Sequence, residues 1–383
     1  MTPKTSRKYF IDWLRILLIF SVFLFHIGMY FNPWSWHVKN DIIVTWLNDL
    51  MWFLHLWRMP LLFLVSGVGT YYALGFRTTK QYLGERFRRI YIPFAVGIFT
   101  LVPVQVYIEK ITQYPSLGNY YLHMFDGIYP EGNFSWHHLW FLVYLFIMAL
   151  LISPFLNYLR SEKFLKIRDQ IVQYASKPLG LNLFLLILIA SQAILRQYFP
   201  DQTNALFNDW AYFGYYFLFF LSGFALMTSK KMIEAIKEQR RWYLIQTVIC
   251  TVFMFSISNL FENQLLMDWL YGIIGIVVGW SCGITAIGYA RRYLNRNNKW
   301  RKTLNEGIYP FYLLHQPIII VLGYYIQSWQ LPVIVKMLVL TTLSLAATIG
   351  IYWFIVRRFN PLRFIFGLKP LRKKEPLVLQ KAE

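Results

Sequence analysis

A chain of 383 residues that is 57% hydrophobic and only 15% charged is not an ordinary soluble domain, and its mean hydropathy of +0.41 indicates several membrane-spanning segments. The net charge of +20 raises the possibility of nucleic-acid binding, but the positions of the basic residues explain the charge without it. The two cysteines, Cys250 and Cys282, lie in apolar runs and define no disulfide framework.

Ten apolar runs have approximately the 20 residues that a membrane-spanning helix needs. The first follows Lys4, Arg7 and Lys8, as in a signal peptide, but no small-residue cleavage site follows it, and we interpret it as a retained helix. Alternating polarity is absent, so strands are not expected. The sequence therefore predicts an all-α integral membrane protein with about ten transmembrane helices. Their approximate bounds are 10–31, 50–73, 90–109, 138–158, 179–198, 209–228, 242–260, 268–290, 305–327 and 332–356.

Lysine and arginine are distributed unevenly between the two alternating sets of predicted loops. One set holds nearly all of the 38 basic residues, whereas the other holds only Lys39, Lys110 and Arg196. Because cytoplasmic loops are enriched in Lys and Arg, both termini are predicted to be cytoplasmic. Membrane lipid, and no nucleic acid, is therefore an expected partner. Residues 1–368 are predicted to form a single transmembrane domain, and residues 369–383 a charged cytoplasmic tail.

The first predicted span carries three ionisable residues. Asp12 and Arg15 lie near its cytoplasmic end, and His26 lies on the same face, about 16 Å from Arg15 along the helix axis. A charged side chain at the centre of a bilayer costs about 2.5–3.5 kcal/mol on the insertion scale. Asp12 and Arg15 can pair at the interface, but His26 is too short and too deep to reach cytoplasmic water. We therefore interpret His26 as a functional residue.

Other predicted spans also contain ionisable residues. In the second span, His55 and Arg58 are neighbours on one helical face, and Arg58 lies near mid-membrane, where it must face protein or a wet cavity. His137 and His138 open the fourth span; at most one of them is expected to face the bundle, and an aromatic belt is the alternative role of this region. His315 lies in the middle of the ninth span, where packing is its alternative role.

A cluster of arginines follows the second predicted span on the cytoplasmic side. Arg86 and Arg89 share a helical face, Arg88 lies beside them, and guanidinium groups bind phosphate oxygens through paired hydrogen bonds. A cluster that only fixes topology is the alternative. Lys336, near the outer end of the last span, is expected to extend to the membrane surface.

Other patterns in the sequence are weaker or missing. No set of His, Cys, Asp and Glu has the spacing of a metal site, so no metal is predicted, and no phosphate-binding Gly-rich loop is found. The segments LFLVSG (Leu62–Gly67) and LFFLSG (Leu218–Gly223) are similar to each other. Close helix packing through the small Ser-Gly pairs explains this similarity, with an ancient duplication as the alternative.

Five segments, in order, resemble motifs of the acyltransferase-3 family of integral membrane acyltransferases. They are YFIDWLRILLIFSVFLFHI, RMPLLFLVSG, RFRRIYIP, HHLWFL and YPFYLLHQPI, and the resemblance covers roughly residues 8 to 368. WHVKN and HLWRM are similar to its glucan-biosynthesis C branch, which is associated with succinylation of periplasmic glucans. The O-antigen-acetylating branch has a glutamate soon after the Trp of the fourth span, whereas this chain reads LWFLVYLF there.

The resemblance implies an O-acyltransferase of the bacterial inner membrane. Arg15 and His26 match the Arg and His of the family's first span, and Arg86 and Arg89 match its cytoplasmic Arg-x-x-Arg motif. No permanently bound cofactor is expected. Acyl-CoA, as succinyl-CoA or acetyl-CoA, is implied as the cytoplasmic donor substrate, and an extracytoplasmic glucan or other polysaccharide as the acceptor.

These residues favour a mechanism in which donor and acceptor meet inside the membrane. Arg86, Arg88 and Arg89, together with Arg15, are expected to hold the anionic nucleotide of acyl-CoA, while its pantetheine arm extends to His26. His26 is the expected general base toward a sugar hydroxyl. A covalent acyl-histidine intermediate is an open alternative.

The remaining candidates have supporting roles. Arg58, His315 or His138 is expected to stabilise the oxyanion, and Asp12 completes the candidate catalytic set beside Arg15. Buried cations also line the substrate paths of carriers, so a transporter of a small anion or a flippase of a lipid-linked sugar is the alternative function. No convincing inverted repeat supports it, and a non-catalytic scaffold would leave the mid-membrane charges without a purpose.

Overall fold

The protein, seen in a computed structural model, is a bundle of α-helices with no strand in the part of the chain that the structure describes, residues 8–75, 77–156, 158–257 and 264–371. A π-helical turn at Phe87–Tyr91 joins the helix Thr79–Arg86 to the helix Ile92–Thr100. The helices are α1 (Tyr9–Phe31), α2 (Leu47–Leu74), α3 (Thr79–Arg86), α4 (Ile92–Thr100), α5 (Val102–Glu109), α6 (Leu117–Leu122), α7 (Trp140–Ile152), α8 (Glu162–Ala175), α9 (Leu183–Leu195), α10 (Trp210–Leu226), α11 (Lys230–Ser256), α12 (Gln264–Tyr293), α13 (Lys299–Ile326), α14 (Val333–Gly350) and α15 (Asn360–Ile365).

Seven helical segments in these described ranges are long and apolar enough to cross a membrane, which makes the protein a multi-pass membrane protein. α10 and α11 pass the same test only as a pair that bends by 109°, and the apolar helix before α10 is shorter. The predicted class, all-α, is confirmed, whereas the count of ten and the cytoplasmic termini stay predictions. Residues 258–260 of the seventh predicted span and 372–383 of the predicted tail lie outside the described residues. The seven segments are Tyr9–Phe31, Leu47–Leu74, Thr79–Glu109, His137–Leu156, Leu266–Tyr293, Lys299–Ile326 and Val333–Val356.

Helix α1 lies at the centre of the bundle, where it packs against α2, α12, α13 and α14. Near one end, the hydroxyl of Tyr30 donates a hydrogen bond of 2.8 Å to the carbonyl of Gly323 in α13. Near the other end, the buried carboxylate of Asp12 pairs with the buried guanidinium of Arg301, also in α13. A buried pair of this kind fixes geometry more than it adds stability. Polar contacts at both ends therefore set the register between α1 and α13.

The two similar segments of the sequence lie opposite each other where α2 and α10 cross. A β-carbon built on Gly67 would lie 1.9 Å from the carbonyl oxygen of Phe220, and one built on Gly223 would lie 1.9 Å from the carbonyl oxygen of Leu64. Only glycine permits such an approach of two backbones. Packing therefore explains the similarity without requiring a duplication.

We expect Gly223→Ala to destabilise the protein, because the added methyl group must push α10 away from α2. Overpacking of this kind costs about 1–3 kcal/mol, which thermal unfolding of the purified protein in detergent measures. Gly272→Ala in α12 is the matched control, since a β-carbon there meets no atom within 4 Å. Equal melting temperatures of the two variants would contradict the assigned crossing.

Candidate active site

Two cavities approach each other inside the bundle from its opposite ends. One, of about 770 Å³, lies among the basic loops, and the other, of about 450 Å³, lies at the end formed by residues 34–37, 128–138 and 202–207. Tyr312 lines both cavities, and its hydroxyl donates to the backbone carbonyl of His138. We name them the arginine cavity, lined by Arg15, Arg77, Arg86 and Arg89, and the histidine chamber, lined by His26, His37, His55, His137 and His138.

A hydrogen-bonded pair of histidines connects α1 and α13 beside the histidine chamber. Nδ1 of His26 lies 2.8 Å from Nε2 of His315. Nδ1 of His315 lies 2.6 Å from the carbonyl oxygen of Tyr312, and because a carbonyl only accepts, this nitrogen carries a proton. Nε2 of neutral His315 then accepts the proton of His26 Nδ1, so Nε2 of His26 keeps its lone pair. The pair therefore presents His26 as a base and His315 as the residue that orients it.

The chamber also places His138 and an aromatic ring around this pair. The ring of Trp36 stacks on His26 with centroids 6.2 Å apart and planes at 13°, and the ring of His138 lies edge-on to His315 with centroids 5.5 Å apart. Nε2 of His138 donates to the carbonyl of Leu313 at 3.2 Å. Its Nδ1 is buried and has no hydrogen-bond partner among the described residues. His138 thus retains a lone pair close to His26.

Both histidines at the start of the fourth span line the chamber, so the expectation that at most one faces the bundle is wrong. That expectation assumed α-helical geometry at both positions. In the structure, His137 has a left-handed backbone with φ of 39° and begins a short 3-10 turn that ends before α7. This turn directs both imidazoles to the same side.

Arg58 places a buried positive charge in the chamber. Only 5% of this residue is exposed, and its guanidinium carbon lies 3.3 Å from the centroid of the Phe25 ring. The cation-π contact offsets part of the desolvation cost. Its Nε and Nη1 atoms have no hydrogen-bond partner among the described residues. A buried guanidinium with unused donors is suited to binding an anion, including an oxyanion formed in a reaction.

The arginine cavity contains three of the four predicted nucleotide-binding residues, Arg15, Arg86 and Arg89. Arg88 does not line it, because its side chain is exposed and Nε donates to the carbonyl of Gly84 at 3.3 Å. Asp12 lines the cavity but forms the structural pair described above. Sequence reasoning missed further basic residues that line the cavity and lie outside the motif: Arg77, Lys302 and Lys369.

Two lysines, the half-buried Lys39 and the buried Lys336, anchor the loop between α1 and α2, residues 32–46. Lys39 donates to the backbone carbonyls of three residues in the range 29–34, and burial lowers the pKa of Lys39 to about 8. Lys336 in α14 is 3% exposed and donates to Oδ1 of Asn40 at 3.1 Å. It also donates to the carbonyl of Gln327 at 2.7 Å. The expectation that Lys336 extends to the membrane surface is therefore wrong, because its ammonium group is buried and finds acceptors inside the protein.

This anchored loop carries two chamber residues that the sequence did not single out, Trp36 and His37. Both lie in the segment WHVKN, which contributed to the family resemblance. Their position outside the predicted spans concealed them, since a loop has no helical periodicity from which a facing side can be inferred. The motif itself was the available signal.

The helical fold and the two cavities, with the arginines and histidines that line them, define a multi-pass membrane protein whose candidate site lies within its helical bundle. Residues 8–357 match the acyltransferase-3 family (Acyl_transf_3), described as an acyltransferase domain, and the chain belongs to this family. The resemblance noted in the sequence is thereby confirmed. The family indicates a transferase that acts on acyl groups.

Relatives cover almost the whole chain. It is 26% identical over 399 residues to glucans biosynthesis protein C of Escherichia coli O1:K1 / APEC, with 97% of each chain covered. It is 25% identical to the protein of the same name from Salmonella schwarzengrund, with 96% of this chain and 97% of the relative covered. For the protein of Escherichia coli strain K12 / DH10B the identity is 24%, with 97% of each covered. No solved structure matches the chain.

Proposed function

We propose that the protein is an O-acyltransferase of the bacterial inner membrane, which moves an acetyl or succinyl group from cytoplasmic acyl-CoA to a hydroxyl of an extracytoplasmic glucan or related polysaccharide. The observation that carries this proposal is the meeting of a cationic cavity and a histidine-lined chamber at one side chain, Tyr312. A reaction between two substrates on opposite sides of a membrane requires such a meeting point. In this proposal, residues 1–368 act as a single domain.

The arginine cavity is suited to the donor. Acyl-CoA is anionic at its phosphates, and Arg15, Arg86 and Arg89 supply guanidinium groups that match phosphate oxygens. Arg15 lies close to Gly69, where a β-carbon would come within 3.1 Å of its Nη2, so glycine leaves room for this side chain. The thioester then reaches the chamber when the side chain of Tyr312 moves aside.

The histidine pair is suited to the chemistry. Nε2 of His26 removes the proton from a sugar hydroxyl, whose oxygen attacks the thioester carbonyl carbon. The negative charge that forms on the carbonyl oxygen is stabilised by the unused donors of Arg58. Breaking the carbon–sulfur bond releases the thiolate of CoA, which takes the proton from His26. The products are an ester and CoA, and the imidazole returns to its starting state.

A third cavity supports a saccharide acceptor. It measures about 480 Å³ and shares His55 with the histidine chamber. Its lining combines the aromatic rings of Trp52 and Tyr212 with the charged side chains of Arg196 and Asp268. Aromatic faces pack against the apolar faces of sugars, and charged groups bind their hydroxyls. The relatives named for glucan biosynthesis agree with such an acceptor.

The test is a transfer assay with purified protein, radiolabelled acetyl-CoA or succinyl-CoA, and a periplasmic glucan. We expect label in the saccharide and slow thioester hydrolysis when the acceptor is omitted. A transporter or flippase would leave the thioester intact, and that result would refute the proposal. Label bound to the protein without acceptor would indicate the acyl-histidine route.

The same assay tests the donor site through two neighbouring arginines. Arg86→Gln is expected to raise the KM for acyl-CoA roughly tenfold or more, because it removes a charge-assisted hydrogen bond to phosphate. Arg88→Gln is the matched control, since Arg88 points away from the cavity and should leave KM unchanged. An equal effect of both substitutions would mean that general surface charge, not the cavity, attracts the donor.

A further inference from the structure

Three side chains from separate segments converge at the edge of the histidine chamber. His37 lies in the loop after α1, Glu109 is the last residue of α5, and His137 begins the turn before α7. Each offers one donor atom, and these atoms all lie within 4.8 Å of one another. We propose that this cluster binds a divalent transition-metal ion, for which Zn²⁺ is the best match, because two imidazoles and a carboxylate are established zinc ligands.

His137 provides the clearest indication of a ligand. Its Nε2 atom is buried and has no hydrogen-bond partner among the described residues. Its other nitrogen, Nδ1, lies 3.0 Å from the hydroxyl oxygen of Ser135, which can accept the Nδ1 proton. In this tautomer Nε2 carries a lone pair, which is the form of imidazole that binds metals. A buried nitrogen without a partner is unfavourable, and a bound ion would satisfy it.

Glu109 and His37 resemble His137 in that one polar atom of the side chain faces the cluster and the other is hydrogen-bonded to a residue outside it. Oε2 of Glu109 lies 2.7 Å from Nδ1 of His37, whereas its Oε1 accepts a hydrogen bond of 3.0 Å from the Tyr129 hydroxyl. Nε2 of His37 lies 3.3 Å from the side-chain amide of Gln316. In all three ligands, one polar atom faces the cluster and the other is held by a neighbour. Such outer hydrogen bonds are typical of metal sites.

The distances allow an ion to enter with small movements. Ligand atoms of a tetrahedral zinc ion lie about 3.4 Å apart, given metal–ligand distances of about 2.1 Å. Bringing the ligand atoms to this spacing moves the side chains by about 1 Å. The proton on Nδ1 of His37 moves to Nε2, and the Gln316 amide turns its oxygen toward Nε2 to accept it. Three protein ligands leave the fourth position for water. Mg²⁺ and Ca²⁺ match less well because they prefer oxygen ligands.

The proposed ion would join three segments around the chamber. The loop that supplies His37 also supplies Trp36, whose ring stacks on His26. A metal bond from this loop to Glu109 and His137 would hold the loop in place and with it the outer wall of the chamber. The proposal does not depend on acyl transfer, since the binding of the ion is measured directly.

The test measures zinc in purified full-length protein that has been treated with a chelator, loaded with Zn²⁺ and dialysed. We expect about one zinc per chain by mass spectrometry and a higher melting temperature with zinc than without it. Glu109→Gln is the decisive variant, because the amide keeps the size of the side chain and an acceptor for His37 but is a poor zinc ligand. We expect this variant and His137→Ala to lower zinc affinity at least tenfold.

His123→Ala is the matched control, since His123 is exposed, lies outside the cluster and pairs with a neighbouring carboxylate, Asp126, at 2.7 Å. It should bind zinc like the unmodified protein. Equal zinc retention by Glu109→Gln and the unmodified protein would overturn the proposal, as would the absence of zinc from the loaded unmodified protein. If His137→Ala does not fold, Glu109→Gln alone decides the question.

Discussion

Replacement of His26 with alanine is expected to lower the rate of acyl transfer by about 100-fold to 10,000-fold, the range typical of a missing general base. The hydrogen bond to His315 leaves a lone pair on Nε2 of His26. His26 is also the histidine of α1 that lines the chamber. The measurement is kcat for label transfer to the glucan, with purified variant and unmodified protein compared at saturating acyl-CoA.

Two further variants separate the chemical role of His26 from a structural one. His123→Ala removes an exposed imidazole and should keep full activity. His315→Ala removes the partner that orients His26, so we expect a lower kcat with an unchanged KM for acyl-CoA, because His315 lines neither cavity. Turnover close to normal in a well-folded His26→Ala protein would refute the assigned base.

Replacement of Arg58 with methionine is expected to lower kcat by about 100-fold to 1,000-fold, as the loss of an oxyanion-stabilising donor does. The guanidinium is buried over Phe25 with two unused donor atoms, so water screens its charge only weakly. Methionine keeps much of the volume without the charge. Arg58→Lys should retain part of the activity, since it restores a point charge without the planar donors.

The melting temperature of the Arg58→Met variant distinguishes a catalytic role of Arg58 from a packing role. Because the guanidinium lacks partners for two nitrogen atoms, its removal should not lower the melting temperature and can raise it. Arg292→Met, at an exposed position near the end of α12, should change neither activity nor stability. An inactive Arg58→Met protein that also unfolds early would indicate a packing role instead of a catalytic one.

Sequence periodicity predicted the face of α1 that carries the site, because residues eleven apart on a helix share a side. Arg15 and His26 indeed line the arginine cavity and the histidine chamber. The pairing of His26 with His315 was beyond sequence reasoning, since 289 residues separate them and only the packing of α1 against α13 brings them together. The assignment of the lone pair required the additional contact to Tyr312.

The helices show a similar limit. A helix was predicted for each apolar run, and each run contains one, but the run at 242–260 belongs to a helix that already begins at Lys230. The polar first half of α11 was predicted as a loop, because hydropathy detects residues that face lipid and does not detect a helix that continues outside the membrane. Hydropathy likewise gives no sign of the bend of 109° between α10 and α11. The cluster of His37, Glu109 and His137 was hidden for a related reason, since its members come from three distant segments.

The position of Tyr312 between the two cavities has a consequence for the energetics of the cell. A bacterium stores energy as an ion gradient, and each elementary charge that crosses a potential of 100 mV dissipates about 2.3 kcal/mol. An enzyme with a permanent channel between its two faces would waste that store continuously. The proposed mechanism therefore requires Tyr312, which lines both cavities, to close the passage to protons in the idle protein, and the arm of the donor to fill it during turnover.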